Sequence, residues 1–173
     1  MNVSIRLRAA LLALAAVPLS GSAEGPLVLV AGGPGDLYAA PVGRMVQSIA
    51  EYTTWPRREN PVTLCVVGPA QHAERLDGLR LADGRAILRR TVPGAAIGPD
   101  ACDAIYLGPL PMPAMRQITA AVRGRGVLTI AEADPDCRSQ VMFCLVFAPQ
   151  SLSFRMNIDA ISRSGLKVDP RVL

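Results

Sequence analysis

Aromatic side chains make up only 4% of the 173 residues, with one tryptophan, three tyrosines and three phenylalanines, and histidine occurs once, as His72. So few aromatics remove the stacking platform that single-stranded nucleic acids need. A lone histidine leaves no pair at zinc-ligand spacing. Lysine is equally scarce, since Lys167 stands alone among eighteen basic residues and the rest are arginine, which we read as compositional bias. No apolar stretch approaches the eighteen or so residues that cross a bilayer as a helix. Internal repeats and low-complexity blocks are absent too. The 15 glycines and 15 prolines are scattered along the chain, which predicts many short elements rather than a few long helices.

What is present is material for a core. Half of the residues are hydrophobic and 18% charged, with a mean hydropathy of +0.30, which excludes a disordered tail or a charged coiled coil and fits one compact domain.

Residues 1–23 read as a secretory signal. Arg6 and Arg8 precede an apolar run from Ala9 to Leu19, and the small residues Gly21-Ser22-Ala23 precede Glu24, so cleavage is expected after Ala23. No cysteine lies near this boundary to carry a lipid. Removal of the two arginines leaves sixteen basic and fourteen acidic residues, a net +2, too little for an electrostatic hold on nucleic acid. The expected product is a soluble periplasmic protein with no membrane insertion of its own. Its four cysteines, Cys65, Cys102, Cys137 and Cys144, form an even set suited to an oxidising compartment. Three pairings exist in principle. The C-x6-C spacing favours a local bridge from Cys137 to Cys144, leaving Cys65 to pair with Cys102 over a longer loop.

Residues 24–40 form a leader, with an apolar run Leu27 to Ala31 and then Gly32-Gly33-Pro34-Gly35. That glycine cluster lacks the Lys-Ser/Thr of a phosphate loop and is interrupted by proline, so it reads as a turn or a mobile N-terminus. From Pro41, the apolar positions Val42, Met45, Val46 and Ile49 have helical spacing, and Pro56 ends the helix near Trp55. Val62–Gly68 has too few polar alternations for a strand wet on one face and reads as a central strand covered on both sides, Cys102–Gly108 reads as a second apolar strand, and Arg85–Val92 is more polar and edge-like. A brief helix is expected over Gln71–Gly78 and a longer one over Pro111–Val122, then a strand over Gly126–Ile130. Met142–Phe147 and Leu152–Met156 read as a hairpin, and Asn157 and Gly165 frame a last helix. The alternation predicts an α/β fold: a three-layer sandwich with a largely parallel central sheet, flanking helices, and a C-terminal hairpin plus helix over residues 41–173.

No catalytic constellation emerges from these residues. Gly-x-Ser-x-Gly is missing, His72 has no partner defined by a motif and reads as exposed, and Cys-x-x-Cys is missing as well. Asp100, Asp103, Asp134 and Asp136 invite a paired-carboxylate reading, but nothing in their spacing makes them converge, and the last two flank a proline turn. Arg123-Gly124-Arg125-Gly126 joins a helix to a strand and reads as turn chemistry. No metal or cofactor site is expected. Trp55 reads either as a core plug at a helix end or, with Arg57 and Arg58 as a basic rim, as a partner anchor. Arg155 lies opposite Phe154 and Met156 on its strand, facing water or a partner. Trp55, Arg57, Arg58, Arg155 and Asn157 are therefore the candidate partner-binding residues.

In this order the segments Tyr-Thr-Thr-Trp-Pro at 52–56, Leu-Cys-Val-Val-Gly at 64–68, Cys-Asp-Ala-Ile-Tyr-Leu-Gly at 102–108, Val-Leu-Thr-Ile-Ala-Glu-Ala-Asp at 127–134 and Phe-Arg-Met-Asn-Ile-Asp-Ala-Ile-Ser-Arg-Ser-Gly-Leu-Lys-Val at 154–168 resemble the YfiR family of exported bacterial regulators. The resemblance implies a periplasmic repressor that binds the periplasmic portion of an inner-membrane diguanylate cyclase (YfiN-like). Repression would lower cyclic-di-GMP and biofilm formation, and an outer-membrane lipoprotein (YfiB-like) would relieve it. It also implies the same cysteine pairing, and leaves a homodimer open. The chain departs from the family at Cys137-Arg138-Ser139-Gln140, where members often carry Gly-Gly, so a family-wide ligand role for that loop does not carry over. The rival reading from the fold alone is a small-molecule sensor with its pocket at the carboxyl ends of the strands.

Overall fold

The computed structural model describes residues 35–56, 60–94, 97 and 101–172; the signal segment, most of the leader, Arg57, Arg58 and Asp100 lie outside the described residues. Helix α1 (Ala39–Glu51) leads into β1 (Thr53–Thr54) and β2 (Val62–Val67), a single 3-10 turn (Glu74–Leu76) and β3 (Ile87–Val92). Then follow β4 (Ala104–Leu107), α2 (Met112–Val122), β5 (Leu128–Ala131), β6 (Phe143–Ala148), β7 (Ser151–Met156), α3 (Ile158–Ser162), β8 (Lys167–Val168) and a closing 3-10 turn (Pro170–Val172). Six strands form one sheet in the order β3-β2-β4-β5-β6-β7, parallel from β3 to β6, with β7 antiparallel at the edge.

Strand alternation divides the core in two. Leu64, Val66, Tyr106, Ile130 and Phe143 face α1, where Val42, Val46 and Ile49 pack with Trp55 and Leu166. Cys65, Val67, Ile105, Leu107 and Cys144 face α2, against Met115, Ile118 and Val122. Each fully buried aliphatic side chain contributes about 1.5–3 kcal/mol. The predominantly apolar strands β2, β4 and β5 follow from cover on both faces. The three-layer sandwich is thus as the sequence predicts.

Three local differences have physical reasons. Helix α1 stops at Glu51, before Trp55, because Thr53 and Thr54 pair with Val168 and Lys167 and the carbonyl of Tyr52 accepts from Asp169 N–H. The expected helix over Gln71–Gly78 is reduced to one 3-10 turn, because the backbone becomes extended at Asp77, and the N–H groups of Gln71 and His72 donate to a distant carboxylate. Helix α1 packs directly on this turn at Gly43, where a Cβ would lie 2.7 Å from the Arg75 carbonyl oxygen. His72, expected to be exposed, is mostly covered, with Nδ1 at 2.8 Å from Asp36.

At the C-terminus the Arg171 guanidinium hydrogen-bonds the Asp169 carboxylate, and the Arg171 amide adds a second bond. These hold the Asp169 pKa at about 2 against an ordinary 3.8. A depressed carboxylate stabilises above its unfolded pKa and loses that contribution as pH falls through the folded one. The Asp169 carboxyl and the Arg171 amide should therefore titrate together near pH 2 by NMR, and Asp169→Asn should remove the transition. A midpoint near 4 would show that the pair does not form in solution.

Candidate functional site

In sheets of this order the strand sequence reverses at β2, and ligands in open α/β folds bind in the crevice at the carboxyl ends of the strands there. Here that crevice is filled by the chain. The segment after β2 turns at Gly68 and crosses over Gly108, where a Cβ would stand 2.5 Å from Ala70 N. Leu110 closes on Gly68 from the other side.

A carboxylate locks this arrangement. Glu132, the first residue after β5, is 6% exposed and accepts from Gln71 N–H at 2.6 Å, His72 N–H at 3.2 Å and the Tyr106 hydroxyl at 2.7 Å. Tyr106 is wholly buried, and its phenol pKa is pushed far up, first by burial and then by the charge and hydrogen bond of Glu132. His72 extends the network outward, pairing with Asp36 and packing against Tyr38 and Phe147. Tyr38 donates its hydroxyl to the Ala148 carbonyl at 2.6 Å, fastening the start of α1 to the β6–β7 hairpin. Every titratable group in this network thus fastens one segment to another.

The other acidic residues behave similarly. Asp103 accepts from Thr63 N–H at 2.7 Å. Asp134 is 2% exposed and takes the N–H groups of Arg138 and Ser139. Asp136 pairs with Arg155 at the surface. Among the described residues no group of three metal-ligating side chains converges. A cavity of about 30 Å³ lies between the end of α2 and α3, lined by Thr119, Gln140, Asp159 and Arg163, with room for one water rather than a ligand.

Disulfides join Cys65 to Cys102 and Cys137 to Cys144. The second closes the crossover from β5 to β6, which contains no helix although both strands are parallel. Left-handed backbone at Cys137 (φ 54°) and Gln140 (φ 68°), a conformation that glycine adopts most readily, gives this short path its turns.

Of the residues proposed from sequence for partner binding, Arg57 and Arg58 lie outside the described residues, and Trp55, Arg155 and Asn157 have these surroundings. Trp55 is 8% exposed, donates Nε1–H to the Asp103 carbonyl and lies under the Arg85 guanidinium, at the amino end of β4. Arg155 is opposite Cys144, level with the carboxyl end of β5, and more than half exposed beside Asp136. Asn157 accepts from Ala160 N–H as the N-cap of α3. Sequence reasoning missed Glu132, Tyr106 and Asp36. The available signal was a carboxylate directly after a buried, mainly apolar strand.

With this geometry established, comparison with known families gives one result: the profile described as YfiR/HmsC-like matches residues 41–173, well over half of the chain.

Proposed function

Because the chain belongs to the YfiR/HmsC-like family, whose members are periplasmic regulators rather than enzymes, we propose that it represses an inner-membrane diguanylate cyclase by binding the cyclase's periplasmic portion. The family match over residues 41–173 carries this reading. Two disulfides in the fold and a strand-end crevice filled by the chain itself agree with a protein that acts through its surface. A repressor of this kind works by preferring one conformation of its target. Moving a target from 1:99 to 99:1 takes a preference of about 10⁴-fold. A lipoprotein that sequesters the repressor returns the target to its unbound equilibrium.

The test is cellular cyclic-di-GMP in a deletion strain, complemented either with the exported protein or with a version lacking residues 1–23. Deletion should raise the nucleotide, and the exported form alone should restore it. No rise on deletion sinks the proposal.

The Cys137–Cys144 bridge is the element of the proposal that responds to redox state, because it holds the crossover beside Arg155 and Asp136. A Cys137→Ser, Cys144→Ser protein should lose about 2–3 kcal/mol of stability by loop entropy and repress more weakly in the same strain. Unchanged thermal stability together with unchanged repression would defeat this role.

A further inference from the structure

Strand β7 forms one edge of the sheet, and among the described residues no strand pairs with its outer side. Asn157 N–H donates to the Met142 carbonyl at 2.9 Å, so in this antiparallel pair the odd-numbered residues of β7 bond to β6. The N–H and C=O groups of Leu152, Phe154 and Met156 therefore point away from the sheet, and no partner meets them among the described residues. The opposite edge is treated differently. Strand β3 carries Arg89 and Arg90, and its Ile87 N–H is taken by the Leu79 carbonyl at 2.8 Å. Strand β7 has neither proline nor lysine, and its one charged residue, Arg155, is paired with Asp136, so an edge with this little protection templates pairing with another strand.

The occupant is suggested by where the described chain begins. Tyr38 hydrogen-bonds Ala148 and packs its ring on Phe147 at 5.0 Å, and Ala148 is the cross-strand partner of Ser151, the first residue of β7. The leader thus enters the domain beside the start of this edge. Upstream lies Leu27-Val28-Leu29-Val30-Ala31, an uncharged run of β-type residues, followed by Gly32-Gly33-Pro34-Gly35. From Ala31 to Gly35 the chain can bridge up to about 14 Å. We propose that residues 27–31 pair antiparallel with the outer edge of β7 as a seventh strand of the sheet.

The polarity follows from connectivity. The leader runs toward the hairpin end and β7 runs away from it, so the two are antiparallel. Five residues match the length of the six-residue edge, and exposed Ile158 lies just past its far end, within reach of the residues before Leu27. Leu152, Phe154 and Met156 are only partly buried on the α1 side, and alternate side chains of the added strand would cover their open flank. Tethering decides the competition with other strands. A short flexible linker presents the segment at an effective concentration in the millimolar range, which outcompetes a second copy of the chain at micromolar concentration.

Hydrogen exchange on the purified exported protein tests this residue by residue. The amides of Leu152, Phe154 and Met156 should exchange at least 100-fold more slowly than in an unpaired strand. A Val28→Pro, Leu29→Pro variant blocks either register of the added strand, and there the same three amides should lose that protection. Ser153, Arg155 and Asn157 bond to β6, and their unchanged rates would show that the domain remains folded. Fast exchange of the three outward amides in the unaltered protein overturns the proposal. So does protection that survives the two prolines: if it rises with protein concentration, a second copy covers the edge.

Discussion

A protein in which Cys65 and Cys102 are both alanine should lose about 4 kcal/mol of unfolding free energy, the loop-entropy value for a closure of this length. For a domain of this size the loss lowers the melting temperature by roughly 15 °C. The bridge ties the middle of β2 to the residue just ahead of β4, across a separation of 37 positions. It lies in the face of the sheet covered by α2, where among the described residues it supplements a smaller cluster than the one under α1. Alanine is the informative replacement, because Cys65 is fully buried and a serine hydroxyl there would add an unsatisfied group to the lost constraint. The measurement is thermal unfolding of the variant against the unaltered protein, with and without reductant. Reduction of the unaltered protein opens both bridges, so its fall should exceed that of the variant, and reductant should lower the variant further by the share of Cys137–Cys144. A variant melting within about 3 °C of the parent would show that the unfolded chain gains little freedom when this loop opens.

The major strands and both long helices were legible because their signal is local. Val62–Val67, Ala104–Leu107 and Leu128–Ala131 are apolar runs in which Thr63 and Thr129 are the only polar residues, and Val42, Val46 and Ile49 repeat at helical spacing. The pairing of β1 with β8 was not legible, since two-residue strands have no period and exist only because residues 53–54 and 167–168 meet in space. The crossover from β5 to β6 was hidden for another reason. Its left-handed positions are occupied by Cys137 and Gln140, and the glycines that normally mark such backbone are not there. The site network is the most distant from sequence logic. Glu132 meets Gln71 across 61 positions and His72 meets Asp36 across 36, so the covering of His72 depends on two chain segments that no motif connects.

Glu132→Ala should be nearly as damaging as loss of the long disulfide. The carboxylate accepts from two backbone N–H groups and one hydroxyl in a setting closed to water on the Tyr106 side. Orphaning each buried donor costs about 1–3 kcal/mol, and bonds to an ionised acceptor are stronger than neutral ones. Gln71 is at the surface and recovers its bond from water, so the expected loss is about 3 kcal/mol, measured by urea unfolding. Glu132→Gln retains one acceptor and turns an amide NH₂ toward a donor, so it should fall between alanine and the parent. Tyr106→Phe should cost about 1–2 kcal/mol, since the carboxylate then still holds Gln71 and His72. In the parent protein the raised Tyr106 pKa means that its neutral form stabilises the fold below the ordinary phenol value of 10, and that contribution drains away as pH climbs past it. Tyrosine ultraviolet titration should therefore show Tyr106 ionising only together with alkaline unfolding. If Glu132→Ala unfolds within about 1 kcal/mol of the parent, the segment over Gly108 is held by packing alone. A strand-end crevice that opens at so little cost is what a small-molecule sensor requires, and that outcome would move the functional reading toward ligand binding.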